Sequence, residues 1–422
     1  MIETFEILNG VTLRCMHDSR FKQGCMSIQL VRPMCREEAS ANALLSAVLL
    51  RGCRDYPDLQ AITWRLDELY GASVGTLVRR SGDYQTTGFY CGFMEDRFAM
   101  DGDRVLQPVL ELVRQLLLDP VLEDGAFSRD FVEGEKRNLI STIESQLNNK
   151  RSYAVSQLIR NMCREDSFGI QRLGQIEDVQ AITPKSLYEH YRRILRQSRI
   201  DLFYVGSQEG SCVAELVKEM LSGMERDWAA LPEQTPFHDA GGSDVEETMD
   251  VAQGVLCMGF VTPVTLRDRE FVAAQMFNII FGSGMTSKLF QRVREELSLC
   301  YAIGSGYHST KGILTVSAGI DSGNKELVKQ EVLEQLDQCC RGNISPEELN
   351  SARQALLSGL QSVHDSPGSI ENYYASAAVS GMKLTPKAYM AAVEAITPEE
   401  IAEAAKTVKL HSVFFLKGVA AC

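Results

Sequence analysis

Histidine is scarce in this sequence and widely spaced. The six histidines, at positions 17, 190, 238, 308, 364 and 411, never fall within four residues of one another. A zinc-binding helix sets two imidazoles one turn apart on one face, so no such helix is written here. The twelve cysteines are scattered and contain no C-x-x-C pair. That excludes a zinc knuckle, suits a reducing cytoplasm and argues against a disulfide framework. Basic residues are outnumbered, 43 against 56 acidic, for a net charge of −13. Binding to phosphate backbones needs clustered Lys and Arg, so nucleic acid is not expected as a partner. The acidic excess gives a mild attraction for cationic ligands, although solubility alone accounts for it. Long apolar runs are missing too. The longest lies within Ala43 to Leu50 and stops at Arg51, far short of the roughly 20 residues that span a bilayer. Met1-Ile2-Glu3-Thr4-Phe5-Glu6 has no basic or apolar region of the secretory kind, so no membrane and no export are expected.

What is present is a long, ordinary globular composition: 422 residues, 45% apolar and 23% charged. That is too much chain for one core and enough for two. The sequence reads as two copies of one unit. Ala181-Ile182-Thr183-Pro184 leads through a helical stretch to Ile200-Asp201-Leu202-Phe203-Tyr204-Val205-Gly206. Ala395-Ile396-Thr397-Pro398 leads likewise to Ser412-Val413-Phe414-Phe415-Leu416-Lys417-Gly418. Each Thr-Pro is an N-cap followed by proline at the first helical position, and each final run is a buried strand. The starts match as well: Met26–Pro33 and Val255–Pro263 are strands that end at proline.

Between these landmarks the periodicity predicts helices over Glu38–Leu50, Asp58–Leu69, Asp103–Leu118, Glu123–Asn149, Tyr153–Cys163 and Pro184–Leu195 in the first half. Ser73–Arg79 and Tyr84–Phe93 are predicted strands around Ser81-Gly82-Asp83. In the second half, helices are expected over Asp268–Ile280, Ser287–Leu297, Lys325–Cys340, Pro346–Val363, Ser369–Ser380 and Pro398–Val408. A hairpin joins Cys300–His308 to Ile313–Ala318. Runs of strands followed by runs of helices imply an α+β fold. The expected architecture is two tandem homologous domains, each a mainly antiparallel sheet with helices packed on one face. Residues 1–222 form the first domain and residues 246–422 the second. Residues 223–245, polar and rich in Pro and Gly, form the linker.

The most distinctive segment is Gly282-Ser283-Gly284-Met285-Thr286-Ser287-Lys288-Leu289-Phe290-Gln291-Arg292-Val293-Arg294-Glu295-Glu296-Leu297-Ser298-Leu299-Cys300-Tyr301. It resembles the arginine/tyrosine segment in the second half of insulinase- and pitrilysin-like zinc metallopeptidases, the family that includes mitochondrial processing peptidase. The resemblance extends from about Asn9 to Gly418. It implies that Arg294 and Tyr301, seven residues apart, hold a substrate carbonyl. Both groups donate hydrogen bonds, and such donors are a large term in acyl-transfer catalysis. On the residues alone, Arg294 would instead pair with Glu295 and Tyr301 would pack at a sheet edge. The spacing of Gly282 and Gly284 is not that of a phosphate loop. Cys300 and His308 lie too far apart on one strand to act as a pair.

The family's H-x-x-E-H helix resembles Ala41-Asn42-Ala43-Leu44-Leu45-Ser46-Ala47-Val48-Leu49-Leu50-Arg51-Gly52, whose ending matches. The resemblance sets Ala43 and Ala47 at the histidine positions and Ser46 at the glutamate position. For the third ligand, the match to Glu135-Lys136-Arg137-Asn138-Leu139-Ile140-Ser141-Thr142-Ile143 sets Thr142 at the ligand position. Glu144 lies two residues on and points elsewhere on a helix. Methyl groups do not ligate zinc, so no metal or other cofactor is expected in this chain. Tyr84–Phe93 resembles the strand region that receives peptide by strand addition, and reads equally well as an ordinary hairpin strand. His190 reads as a packing or hydrogen-bonding residue rather than a ligand.

The resemblance therefore implies a non-catalytic subunit of a heterodimeric zinc peptidase, inactive alone. It would sit in the cytoplasm and supply Arg294 and Tyr301 for peptide substrates. Its partner would be a homologous H-x-x-E-H chain that supplies the zinc. The alternative is a catalytically silent structural or protein-binding module of the same family. An independent hydrolase would need a nucleophile–base pair, and none is visible.

Overall fold

The computed structural model describes residues 2–251 and 253–418. The chain begins with strands β1 (Ile2–Leu8), β2 (Val11–His17) and β3 (Gln23–Pro33), followed by helices α1 (Arg36–Leu49) and α2 (Leu59–Glu68). The hairpin β4 (Ser73–Ser81) and β5 (Tyr84–Met94) leads to α3 (Leu106–Leu118). A small hairpin, β6 (Leu122–Glu123) and β7 (Ala126–Phe127), precedes α4 (Arg129–Ser145). Then come α5 (Lys150–Met162), α6 (Ile176–Ala181), α7 (Pro184–Gln197), β8 (Arg199–Gly206) and α8 (Gly210–Met220). The second half runs β9 (Asp244–Met249), β10 (Gly254–Val261), α9 (Phe271–Gly282), a π-helical segment (Phe290–Glu296), β11 (Cys300–His308) and β12 (Ile313–Ile320). It closes with α10 (Lys325–Cys340), α11 (Pro346–Gln361), α12 (Pro367–Ser380), α13 (Pro386–Ala395), α14 (Pro398–Lys406) and β13 (Lys409–Gly418).

Local chemistry explains several boundaries. Thr183 and Thr397 both cap their helices through full capping boxes, with Ser186 and Glu400 closing them and proline at the first turn. The helix expected over Glu123–Asn149 forms only over Arg129–Ser145. Asp124 and Gly125 adopt φ of +51° and +77°, the mirror-image turn that Asp-Gly favours, and the β6–β7 hairpin takes the first residues.

The chain divides into two compact units. The first contains residues up to Ile143, Ile170–Glu233 and Val363–Val379. Its six-stranded sheet has the order β1-β2-β8-β3-β5-β4, in which only β2 and β8 are parallel neighbours. The second contains Glu144–Gly169, Gln234–Ser362 and the chain from Ser380 onward. Its five-stranded sheet has the order β11-β12-β10-β13-β9, in which only β13 and β9 are parallel. Read from β9 to β11, the second sheet repeats the order and orientations of the first from β2 to β4. The fold is thus α+β, with mainly antiparallel sheets.

In both units the central strand is buried on its two faces, and alternation decides what it meets. Met26, Ile28 and Leu30 of β3 enter the main core with α1, α3, α7 and α8. Cys25 faces the other way and packs with Val205 and Ile370 of α12. In the second unit Val255 and Cys257 of β10 pack on Ala154 and Leu158 of α5. Phe260 turns instead toward Phe281 of α9, with ring centroids 6.5 Å apart. Helix α5 thus comes from the first half of the sequence and belongs to the second unit, whereas α12 does the reverse. Each covers the sheet face left open by the helices of its adopted unit. Burying a side chain such as Leu158 completely contributes on the order of 2 kcal/mol.

Candidate functional site

Helix α1 carries Glu38, Asn42 and Ser46 at every fourth position, hence on one face, and all three are buried. A buried polar group needs a partner, and each has one. Arg32 grips Glu38 with two hydrogen bonds of 2.9 and 2.8 Å, and Arg193 adds an ion pair at 3.1 Å. Asn42 donates to Gln85 at 2.9 Å, and Thr87 donates to Ser46 at 3.3 Å. Arg193 donates to Nδ1 of His190 at 2.9 Å, so the Nε2–H of His190 donates to Asn42 at 2.8 Å. Burial pushes the His190 pKa down to about 4, which keeps the ring neutral.

The four positions implied for the metal and its base hold nothing that fits zinc. Ala43 is 6% exposed and offers a methyl group to the core. Ala47 is half-buried, and Ser46 is committed to Thr87. Thr142 lies on the exposed side of α4 and returns its hydroxyl to the Asn138 carbonyl at 2.8 Å. Glu135, seven residues earlier, pairs with Arg51 at 3.3 Å, tying α4 to the end of α1. Among the described residues, no three of His, Cys, Asp and Glu are grouped to hold a metal ion. The residues present do not suit a zinc ion.

The arginine/tyrosine segment lies in the second unit. Gly282 ends α9 against β11, where an added β-carbon would meet Ser305 Oγ at 2.7 Å. Gly284 has φ of +120°, which other residues rarely adopt. The following turn widens into the π-helical segment, shown by the bond from Leu297 N to Arg292 O at 3.1 Å. Arg294 lies in this segment with its side chain 41% exposed. Its guanidinium stacks over the Phe290 ring at 4.5 Å and meets Glu295 at 3.6 Å. Ser298 turns the chain at φ of +52°, and β11 begins. Tyr301 falls at an irregularity in the β11–β12 register, between the Cys300 and Ala302 pairs. Such a bulge re-aims a side chain, and Tyr301 is 60% exposed at the edge of its sheet.

Other readings are corrected or placed by the same geometry. Tyr84–Phe93 is not an available edge. β5 is hydrogen-bonded to β3 on one side and β4 on the other, so the free edge belongs to β4. Part of that edge is taken, because the Arg172 guanidinium donates to the Val78 carbonyl. Cys300 and His308 stand at opposite ends of β11, and burial raises the Cys300 pKa. No disulfide joins the eleven described cysteines, and Cys422 lies outside the described residues. No helix among the described residues is long and apolar enough to cross a membrane.

One residue near this segment escapes a reading of the sequence. Arg151, on α5, lies on the second sheet, where its Nε donates to Ser317 Oγ at 2.8 Å and its Nη2 to Ser317 O at 3.2 Å. Nothing local in the sequence announces this, since the contact spans 166 positions.

Comparison with known proteins fits this geometry. A family model described as "Peptidase M16 inactive domain" matches residues 181–356. The Bacillus subtilis protein described as "Probable inactive metalloprotease YmfF" is 29% identical over 409 residues, covering 97% of this chain and 96% of that protein. The crystal structure of a conserved protein from Enterococcus faecalis V583 superposes with a TM-score of 0.92 at 26% identity, covering 100% of this chain and 99% of that one. A Pseudomonas fluorescens structure, described as a peptidase M16 inactive domain, gives a TM-score of 0.82 at 16% identity, with 100% and 99% covered. This last is a likeness of fold.

Proposed function

We infer that this chain, which belongs to the insulinase- and pitrilysin-like metallopeptidase family as a member without the H-x-x-E-H helix, works as the non-catalytic subunit of a two-chain zinc peptidase. One contrast carries the reading. The helix that should ligate metal offers Ala43, Ser46 and Ala47, two methyl groups and a hydroxyl already bonded to Thr87, while Arg294 and Tyr301 keep partly exposed donors. In this reading the zinc belongs to a homologous partner with the intact helix. Arg294 and Tyr301 donate hydrogen bonds to a peptide carbonyl and strengthen them as its oxygen gains charge. Substrates are short or unfolded peptides, and the setting is a reducing cytoplasm. The shared strand order supports reading 1–222 and 246–422 as two copies of one unit joined by 223–245.

The test is co-purification with a homologous H-x-x-E-H chain, followed by peptide cleavage and zinc assays on each chain and on the pair. Activity confined to the pair, and weakened by Arg294→Ala in this chain, is the expected result. Full activity from this chain alone, without zinc, overturns it.

A second reading is a silent structural or binding module. It is favoured by the Phe290 and Glu295 contacts of Arg294, which give the guanidinium a packing role of its own. Under that reading Arg294→Ala leaves the pair's activity unchanged.

A further inference from the structure

Arg151 has an environment that its hydrogen bonds do not explain. It is half-buried, and among the described residues no carboxylate pairs with it. A guanidinium carries five N–H donors in a planar fork. Ser317 occupies only part of that fork. An arginine held in place without a counter-ion is poised to take one.

The surroundings leave space for a ligand on the same face. Ser317 pairs with Gly304 across β12 and β11, and a β-carbon at Gly304 would lie 3.1 Å from Arg151 Nη2. The absent side chain is what lets the guanidinium lie on the sheet. Two residues toward the start of β11, Ala302 pairs with Gly319. In a strand, residues two apart share a face, so the Gly319 position points the same way as Ser317. A β-carbon there would meet nothing within 4 Å. Tyr301 follows directly at the bulge. Arg294 and Arg151 both lie close enough to the Cys300 thiol to act on its charge. Arg151, which lies against Gly304, and Tyr301, at the bulge, thus stand three residues apart along β11, roughly 10 Å.

We propose that Arg151 reads a carboxylate of the bound peptide, so that the chain prefers peptides with an acidic side chain or a free C-terminus beside the carbonyl held by Arg294 and Tyr301. This rests on the reading of those two residues as a peptide clamp. The net charge of −13 repels acidic peptides at long range. The preference is therefore local, and it persists at salt concentrations that screen the overall charge.

The experiment is fluorescence anisotropy with the full chain and one short, unstructured, dye-labelled peptide in four forms. The forms combine an internal Glu or Gln with a free or amidated C-terminus. The form with both carboxylates is expected to bind about five- to tenfold more tightly than the form with none, the scale of one charge-assisted hydrogen-bonded pair. Arg151→Gln removes that difference and leaves the affinity for the uncharged form intact, whereas Arg151→Lys retains part of it. The two singly charged forms tell a side chain from a terminus. If Arg151→Gln keeps the full preference, or weakens all four forms equally, the proposal is overturned. Thermal melts of both variants that match the parent exclude misfolding as the cause. The clamp itself fails separately. In that case Arg294→Ala and Tyr301→Phe leave binding of the uncharged form unchanged, or no form binds the parent chain, and the role of Arg151 falls with it.

Discussion

Arg79 on β4 holds the carboxylate of Glu371 with two hydrogen bonds of 3.0 and 2.9 Å, although the residues are 292 positions apart. Glu371 is only 1% exposed and also accepts from Ser27 at 2.6 Å and Gln29 at 2.9 Å. This buried anion fixes α12 to the first sheet. Breaking such a pair leaves an uncompensated charge in the interior. We expect Arg79→Ala to cost roughly 2–4 kcal/mol in urea unfolding, since Ser27 and Gln29 still donate. The double change Arg79→Met with Glu371→Leu should recover most of that loss.

His190 should make stability depend on pH. In the folded chain its pKa is lowered from 6.5 to about 4 by burial. Between those values the unfolded chain binds more protons than the folded one, so stability falls as pH drops. The contribution is whole above pH 6.5 and costs roughly 3 kcal/mol once pH reaches the folded value. His190→Gln keeps an N–H for Asn42 and cannot titrate. The stability gap between the parent and this variant should be constant near neutrality and shrink steadily in acid.

Zinc should neither stabilise this chain nor be missed when removed. A ligand specific for the folded state raises the melting temperature by mass action. We expect added zinc and strong chelators to leave the melting temperature unchanged. Installing the ligands by Ala43→His, Ser46→Glu, Ala47→His and Thr142→Glu meets a packing obstacle at Ala43, where overfilling costs about 1–3 kcal/mol. A zinc-dependent melt in this variant would show that the scaffold still positions the site.

In a reconstituted pair with an H-x-x-E-H chain, Arg294→Ala is expected to lower kcat/KM by about a hundredfold, the scale for losing one donor to a developing oxyanion. Tyr301→Phe should lose about tenfold, because removing a hydroxyl from an exposed position costs less than losing a charge. Steady-state kinetics with circular dichroism on each variant separates these losses from unfolding.

Much of this architecture was legible in the sequence because periodicity and caps are local. Lys325–Cys340 and the Thr183 and Thr397 caps are direct readings of apolar spacing and of Thr-Pro. Asp124-Gly125 was equally local, yet the long apolar-polar rhythm around it suggested one continuous helix. Strand partners are not local. Nothing in Tyr84–Phe93 says whether β4 lies outside it, because its mixture of Gln85, Thr86 and Thr87 with Phe89, Cys91 and Phe93 suits an edge strand and an interior one alike. The candidate site divides the same way. The positions that the resemblance sets for metal ligands are legible as Ala43 and Ala47, whereas Arg151 beside β11 depends on where α5 packs.

The traded helices α5 and α12 make each half of the sequence an incomplete recipe. A protease that nicks residues 223–245 would yield two pieces, each still lodged in the core of the other by a helix it cannot withdraw without unfolding. Such a nicked protein should migrate as one species until denaturant is added. Either half expressed by itself should expose a bare apolar sheet face and aggregate.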